Sequence, residues 1–176
     1  MYLTFDDGPI PEVTPWVLEQ LKAFDAQATF FCVGENVKKN PEIFQEIIQQ
    51  KHRIGHHTFN HINGWKTKNK NYFHNVEMGN EMAQSNLFRP PYGKLKRSQI
   101  QYLKQKYKLI MWDVLTYDFD KKTSPQKCLQ NVVHNVQSGS IIVFHDSVKA
   151  KENLFYTLPR TLEFLKDKGF SFAALP

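Results

Sequence analysis

SIIVFHD, residues 140–146, contains the most apolar strand-like run in the chain and ends on a histidine and an aspartate. Uninterrupted apolar residues without polar alternation fit a strand covered on both faces, the kind found inside a parallel sheet. Parallel strands need long crossovers, so the rest of the chain should alternate strand with helix. His145, at the end of such a strand, is an expensive place for a polar ring without a partner or a purpose.

Outward from this strand the pattern repeats. YLTF (2–5) predicts a short strand stopped by Asp6-Asp7-Gly8-Pro9. Thr14-Pro15 supplies an N-cap and a proline at the first helical position, with Val13, Val17, Leu21 and Phe24 near helical spacing. ATFFCV (28–33) is a second strand, Asn40-Pro41 opens a helix, and a third strand runs into RIGHH (53–57). Residues 62–71 read as a polar loop, 72–84 as a helix weakened by Gly79, and LFR (87–89) as a strand stopped by Pro90-Pro91. A helix follows over 96–106, and YKLIMWDV (107–114) predicts the fifth strand. Ser124-Pro125 caps the next helix, and a last one from about Asn153 to Lys168 leads to a closing strand, FSFAAL (170–175).

Seven strands separated mostly by helices predict an α/β fold. The residues able to do chemistry fall at the carboxyl ends of several strands, which favours a distorted seven-stranded (β/α) barrel, with parallel strands and outer helices, over an open sheet.

Composition narrows the function. The 176 residues include 14 Phe, 7 Tyr and 3 Trp, which excludes a disordered chain. The net charge of +6 describes a solvated basic surface, a field that would help binding of an anionic polymer such as a cell-wall glycan. No zinc-finger, P-loop or Gly-x-Gly-x-x-Gly spacing directs that charge to nucleic acid or nucleotide. Cys32 and Cys128, far apart in apolar stretches, read as core thiols. No run reaches membrane-spanning length. Read as it stands, the chain predicts a cytoplasmic protein and a monomer; a targeting segment ahead of the first strand would place the same domain in the cell envelope or outside.

The adjacent acids Asp6 and Asp7 repel each other unless a positive charge sits beside them. HTFNH (57–61) brings two histidines four apart; read as a helical turn, it puts both imidazoles on one face. His57, His61 and one aspartate make a donor set suited to catalytic zinc, leaving the other aspartate as a base near the bound water. Arg89, in RPPYG, is placed to hold the free aspartate with paired hydrogen bonds, and the prolines display Tyr92 from an extended turn. Asp118 is a suitable partner for His145, fixing its tautomer and favouring its protonated form. A base and a protonated histidine equip a site for metal-assisted hydrolysis of an amide or ester.

In order, TFDDG (4–8), HTFNH (57–61), RPPY (89–92), LTYDF (115–119) and IIVFHD (141–146) resemble the five motifs of the polysaccharide deacetylases, the NodB-homology carbohydrate esterases. The resemblance extends to LKDKGFSF (165–172) and implies one catalytic domain over 1–176. It implies that Asp6 is the base, that Asp7, His57 and His61 hold one divalent ion, zinc or else cobalt or manganese, and that Arg89 orients Asp6. It implies further that the Tyr92 backbone N–H helps hold the oxyanion, and that Asp118 tunes His145 as the acid protonating the departing amine. The implied substrates are N-acetylated chitin oligomers or peptidoglycan, or O-acetylated xylan. Leu115 and Phe119 depart from the family pattern, which usually has a polar residue and a tryptophan there, so substrate choice is the property they touch. Phe119 and Trp112 are candidate walls of the acetyl pocket; for Trp65, Tyr72 and Phe73, core packing is weighed against sugar stacking. The leading expectation is a deacetylase of glycan amino sugars, with a hydrolase of small non-glycan amides and an inactive carbohydrate-binding homologue as alternatives.

Overall fold

The computed structural model describes residues 1–176. Its elements are β1 (Tyr2–Asp7), α1 (Thr14–Ala23), β2 (Ala28–Cys32), α2 (Gly34–Lys39), α3 (Pro41–Gln49), β3 (Arg53–His56), α4 (Asn69–Ala83), β4 (Leu87–Phe88), α5 (Arg97–Leu103), β5 (Lys108–Leu109), β6 (Val114–Leu115), α6 (Pro125–Val133), β7 (Ile141–His145) and α7 (Lys151–Asp167). All pairings are parallel, in the order β5-β4-β3-β2-β1-β7-β6.

The strand content corrects the sequence reading in two places. The run 107–114 is not one strand: β5 and β6 come from it and lie at opposite edges of the sheet. Five Cα steps separate Leu109 from Val114, a reach of at most ~18 Å. Six gaps of about 4.8 Å would set the edges of a flat seven-stranded sheet about 29 Å apart. The sheet must therefore curl, and it does so as a distorted half-barrel with no ladder between β5 and β6. FSFAAL (170–175) is no strand either, because β1 already has a neighbour on each side. It instead ties the chain ends together: the Met1 ammonium donates to the Ser171 carbonyl and the Ala173 N–H to the Met1 carbonyl. Leu175 then packs with Phe31 and Leu87.

Alternation along the strands sorts the chemistry. Leu3 and Phe5 of β1, Phe30 of β2, and Ile142 and Phe144 of β7 join one 22-residue core, shared with α1 and α7. Phe5 stacks between Phe30 and Phe144, with ring centroids 5.0 and 5.7 Å away, so three central strands share one aromatic row. Thr4 and Asp6 point the other way, as do Val143 and His145. In the β1–β7 register Asp6 lies opposite His145.

The helices follow their caps with small differences. Ser124 accepts from the Lys127 N–H at the start of α6. Thr14 is the first helical residue instead of the cap: its hydroxyl accepts from the Ile10 N–H and donates to Asp146. Cys32 and Cys128 are buried and free. No helix is long and apolar enough to cross a membrane.

Candidate active site

A cavity of about 410 Å³ opens where β1, β4 and β7 end, and Asp6, Asp7, His57, His61, Tyr92, Trp112, Phe119 and His145 all line it. Arg89 and Asp118 lie behind this wall, fully or almost fully buried. The structure thus brings these ten residues together around one cavity.

Strict alternation would turn Asp7 away from the face that Asp6 occupies. Its backbone departs from the strand with φ 90°, a conformation uncommon for a residue with a Cβ, and so both carboxylates reach one cavity. Gly8 is held next to them by its N–H, which donates to Asp146 at 2.9 Å. A Cβ on Gly8 would lie 2.0 Å from that carboxylate.

The histidines are not on a helical turn. Residues 57–61 form a loop with Thr58 and His61 at φ 62° and 55°. The loop is shaped by α4, whose Gly79 lets the helix press on it; a Cβ there would come within 2.6–3.0 Å of the Thr58 and Phe59 backbone. A glycine that weakens the helix is thus required where helix meets ligand loop. The ring of His57 is fixed by Nδ1, 2.7 Å from the Arg89 carbonyl. A carbonyl only accepts, so Nδ1 carries the proton and Nε2 presents a lone pair to the cavity. Burial, outweighing the attraction of Asp6 and Asp7, pushes the His57 pKa down to about 4, which keeps the ring neutral.

Donor atoms of Asp7, His57 and His61 lie within 4.8 Å of one another. Asp7 Oδ1 is buried without a hydrogen-bond partner, 3.3 Å from His61 Nε2. An orphaned anionic oxygen facing two imidazoles is a cation donor set, and the residues fit a divalent metal.

Asp6 faces this triad from the side, its Oδ2 4.0 Å from His57 Nε2. Its Oδ1 accepts from Arg89 Nη1 at 2.8 Å. The expected paired hydrogen bonds are not made, because the guanidinium divides its donors. The same Nη1 reaches Thr4 Oγ1 at 2.8 Å, while Nε and Nη2 donate to the carbonyls of Ile110 and Met111. Those carbonyls belong to the segment that crosses between the sheet edges. Burial raises the Asp6 pKa, but the charges of Arg89, His57 and His145 outweigh it and hold the carboxyl below its ordinary value.

His145 is the counterpart. Its Nδ1 donates to Asp118 Oδ1 at 2.8 Å, and its backbone N–H donates to the other Asp118 oxygen, also at 2.8 Å. Burial disfavours the imidazolium, yet the Asp118 charge and hydrogen bond, with Asp7 and Asp6 beyond, raise its pKa to about 9. With Nδ1 engaged, the second N–H is free for the cavity.

The remaining walls are mostly apolar, with Ser147 and Lys149 as the polar exceptions. The Tyr92 ring meets His61 edge-on at 4.7 Å, from a 3₁₀ turn over Pro91–Gly93 in which Tyr92 itself is left-handed, not from an extended turn. Trp112 comes from the crossing segment and not from a strand. Phe119 sets its ring edge-on to His145 at 4.8 Å, and Leu115, Val143 and Pro90 add apolar lining. Tyr72 is core and Phe73 packs on Tyr102, whereas Trp65 is exposed, its indole N–H donating to the Leu95 carbonyl.

Three contributors went unnoticed in the sequence. Asp146 could have been found by the argument applied to His145, since it too ends an apolar strand. Thr4, on Arg89, and Asn153, whose amide donates to the carbonyls of Asp118 and Thr123, carry no sequence signal.

Comparison with known proteins agrees with this geometry. Residues 1–108 match the family model described as polysaccharide deacetylase. The chain belongs to the polysaccharide deacetylase family. It is 35% identical to a peptidoglycan-N-acetylglucosamine deacetylase of Bacillus cereus, over 99% of this chain and 66% of that protein. It is 29% identical to a chitooligosaccharide deacetylase of Azorhizobium caulinodans, over 100% of this chain and 92% of the relative. The crystal structure of a peptidoglycan N-acetylglucosamine deacetylase with a bound naphthalenyl benzamide superposes with a TM-score of 0.89 at 34% identity, covering 99% and 85% of the two chains. This family member spans 66% and 84% of two Bacillus cereus relatives and 37% of one from Listeria monocytogenes.

Proposed function

We propose that this chain is a divalent-metal-dependent hydrolase that removes N-acetyl groups from amino sugars of a peptidoglycan-type or chitin-type glycan. The observation that carries the reading is one cavity holding the Asp7–His57–His61 donor set between an Asp6 kept ionised and a His145 kept protonated. The substrates named for the relatives support the amino-sugar class. Two imidazoles and a carboxylate suit zinc, with cobalt or manganese as alternatives. In such a donor set a divalent ion supplies carbonyl polarisation and water activation at neutral pH.

The protein's own groups divide the proton work. Asp6 takes a proton from the attacking water as the new C–O bond forms at the acetyl carbon. Arg89 holds Asp6 at the correct angle and stabilises its charge between turnovers. His145 gives its free ring proton to the amine as the C–N bond breaks, releasing acetate and the amino sugar, and Asp118 keeps that imidazole oriented. Trp112, Phe119 and Leu115 provide an apolar wall for the acetyl methyl, and Tyr92 borders the sugar and offers its backbone N–H to the oxyanion.

The test is acetate release from chitin oligomers, peptidoglycan and acetylated xylan, with chelated protein and after adding zinc, cobalt or manganese. Metal-dependent release from an N-acetylated glycan is expected. Asp6→Asn should abolish turnover while retaining most metal binding, and His57→Gln or His61→Gln should lose both. Silence on every glycan, with hydrolysis of a small amide, would overturn the substrate assignment; an Asp6→Asn protein working at the parent rate would overturn the base.

A further inference from the structure

Beside the catalytic cavity lies a larger one of about 800 Å³, and Lys149 lines both. Its wall carries Lys121, Lys122, Lys149 and Lys151 against one acid, Glu152. None of the four ammonium groups has a carboxylate within 4.0 Å, whereas Lys39 and Lys106 are paired with Glu35 and Glu77 at 2.8 and 2.9 Å. The nearby Asp120 carboxylate is committed to its own turn, accepting from the Lys122 N–H and the Thr123 hydroxyl, both at 3.1 Å.

These lysines are displayed on braced structure. Asn153 of α7 donates to the Asp118 and Thr123 carbonyls on either side of the turn bearing Lys121 and Lys122, and Asp118 is the residue that orients His145. Lys149 and Lys151 hold their ammonium groups 5.7 and 5.6 Å from the rings of Phe119 and Phe155. Four like charges around one opening repel each other, and the attraction of Asp120 for Lys122 and Lys149 acts without a direct ion pair. An anion arriving with the substrate would relieve that repulsion. A neutral glycan leaving the catalytic cavity past Lys149 would not.

We infer that the lysine-lined cavity is an accessory subsite for a carboxylate borne by a sugar neighbouring the acetylated one, so that the preferred substrate is an acidic glycan. The inference rests on the deacetylase reading above and adds the charge of the substrate to it. The +6 net charge is thereby given a local use.

The test compares an acidic peptidoglycan-type tetrasaccharide, the same fragment with its carboxylates amidated, and a neutral chitin tetrasaccharide. The parent should favour the acidic fragment over its amide by about 10-fold in kcat/KM at low salt, a gap falling to about twofold near 0.5 M salt. The Lys121→Gln/Lys122→Gln/Lys151→Gln protein, which leaves Lys149 in place, should lose the gap and keep its rate on the chitin fragment. Equal rates of the parent on acid and amide, or a gap preserved in the triple variant, would overturn the subsite. Calorimetry of the two peptidoglycan-type fragments separates this from the activity. If no fragment releases acetate, the deacetylase reading fails; tighter binding of the acid, lost in the triple variant, would still uphold the subsite, and equal binding of acid and amide would overturn it.

Discussion

Two neighbouring regions of the active-site cavity are built alike with the charges exchanged. On the β1 side a carboxylate, Asp6, faces the cavity and a buried cation, Arg89, stands behind it at 2.8 Å. On the β7 side an imidazole, His145, faces the cavity and a buried anion, Asp118, stands behind it at the same 2.8 Å. Burial alone would neutralise both front groups. The hidden partner reverses that in each case, lowering the Asp6 pKa and raising that of His145 to about 9. The difference lies in the hidden partners' other bonds. Arg89 spreads its donors over Thr4 and two carbonyls, so it also ties the crossing segment to β1. Asp118 gives both oxygens to His145, so it acts chiefly on that residue.

The largest effect that would test this symmetry is loss of a front group. Asp6→Asn and His145→Ala should each lower kcat/KM by about 10³-fold in acetate release, the scale of a positioned acid or base. Comparable losses on both sides fit the mirrored design, and a mild loss on one side would break it.

Loss of the hidden cation comes next and should separate the two sides by stability. Arg89→Ala leaves Asp6 buried without its partner and two carbonyls without a donor, and should cost about 3–5 kcal/mol in denaturant unfolding. Asp118→Asn should be milder in unfolding and act mainly on the pH profile. As the His145 pKa falls toward the ordinary 6.5, activity at pH 8 should drop by up to about 30-fold, and the alkaline limb should move to lower pH. Stability carries the same sign. His145 binds its proton more tightly in the folded protein, so its contribution is full below about pH 6.5 and is lost as the pH rises through about 9. The difference in thermal midpoint between parent and Asp118→Asn should therefore be greatest at low pH within this range and close by its upper end.

The smallest effect concerns the ligand loop. Gly79→Ala improves helix propensity by about 1 kcal/mol yet drives a methyl group into the Thr58–Phe59 backbone. Metal affinity should weaken by about 10-fold, read by competition with a chelator, with little change in unfolding.

Much of this site was legible because its residues sit where apolar strands stop, and an acid or histidine there demands a partner. What could not be read was the path between such points. The run YKLIMWDV has the composition of a strand, but its middle carbonyls serve the Arg89 guanidinium, and the chain crosses from one sheet edge to the other there. FSFAAL is similarly strand-like in composition, and only the two neighbours already flanking β1 exclude it. The His57–His61 spacing suggested a helix turn; the positive φ of Thr58 and His61 depends on contact with α4, which lies later in the chain. Local pattern locates residues at element ends, and tertiary competition for hydrogen bonds decides how those ends are joined.

The mirrored pairs are tested most directly by the proton on His145. Titration of the histidine ring nitrogens by NMR in the parent protein should find His145 still protonated at pH 8, with a midpoint near 9 that falls in Asp118→Asn. A His145 that loses its proton at or below pH 6.5 in the parent would contradict the account.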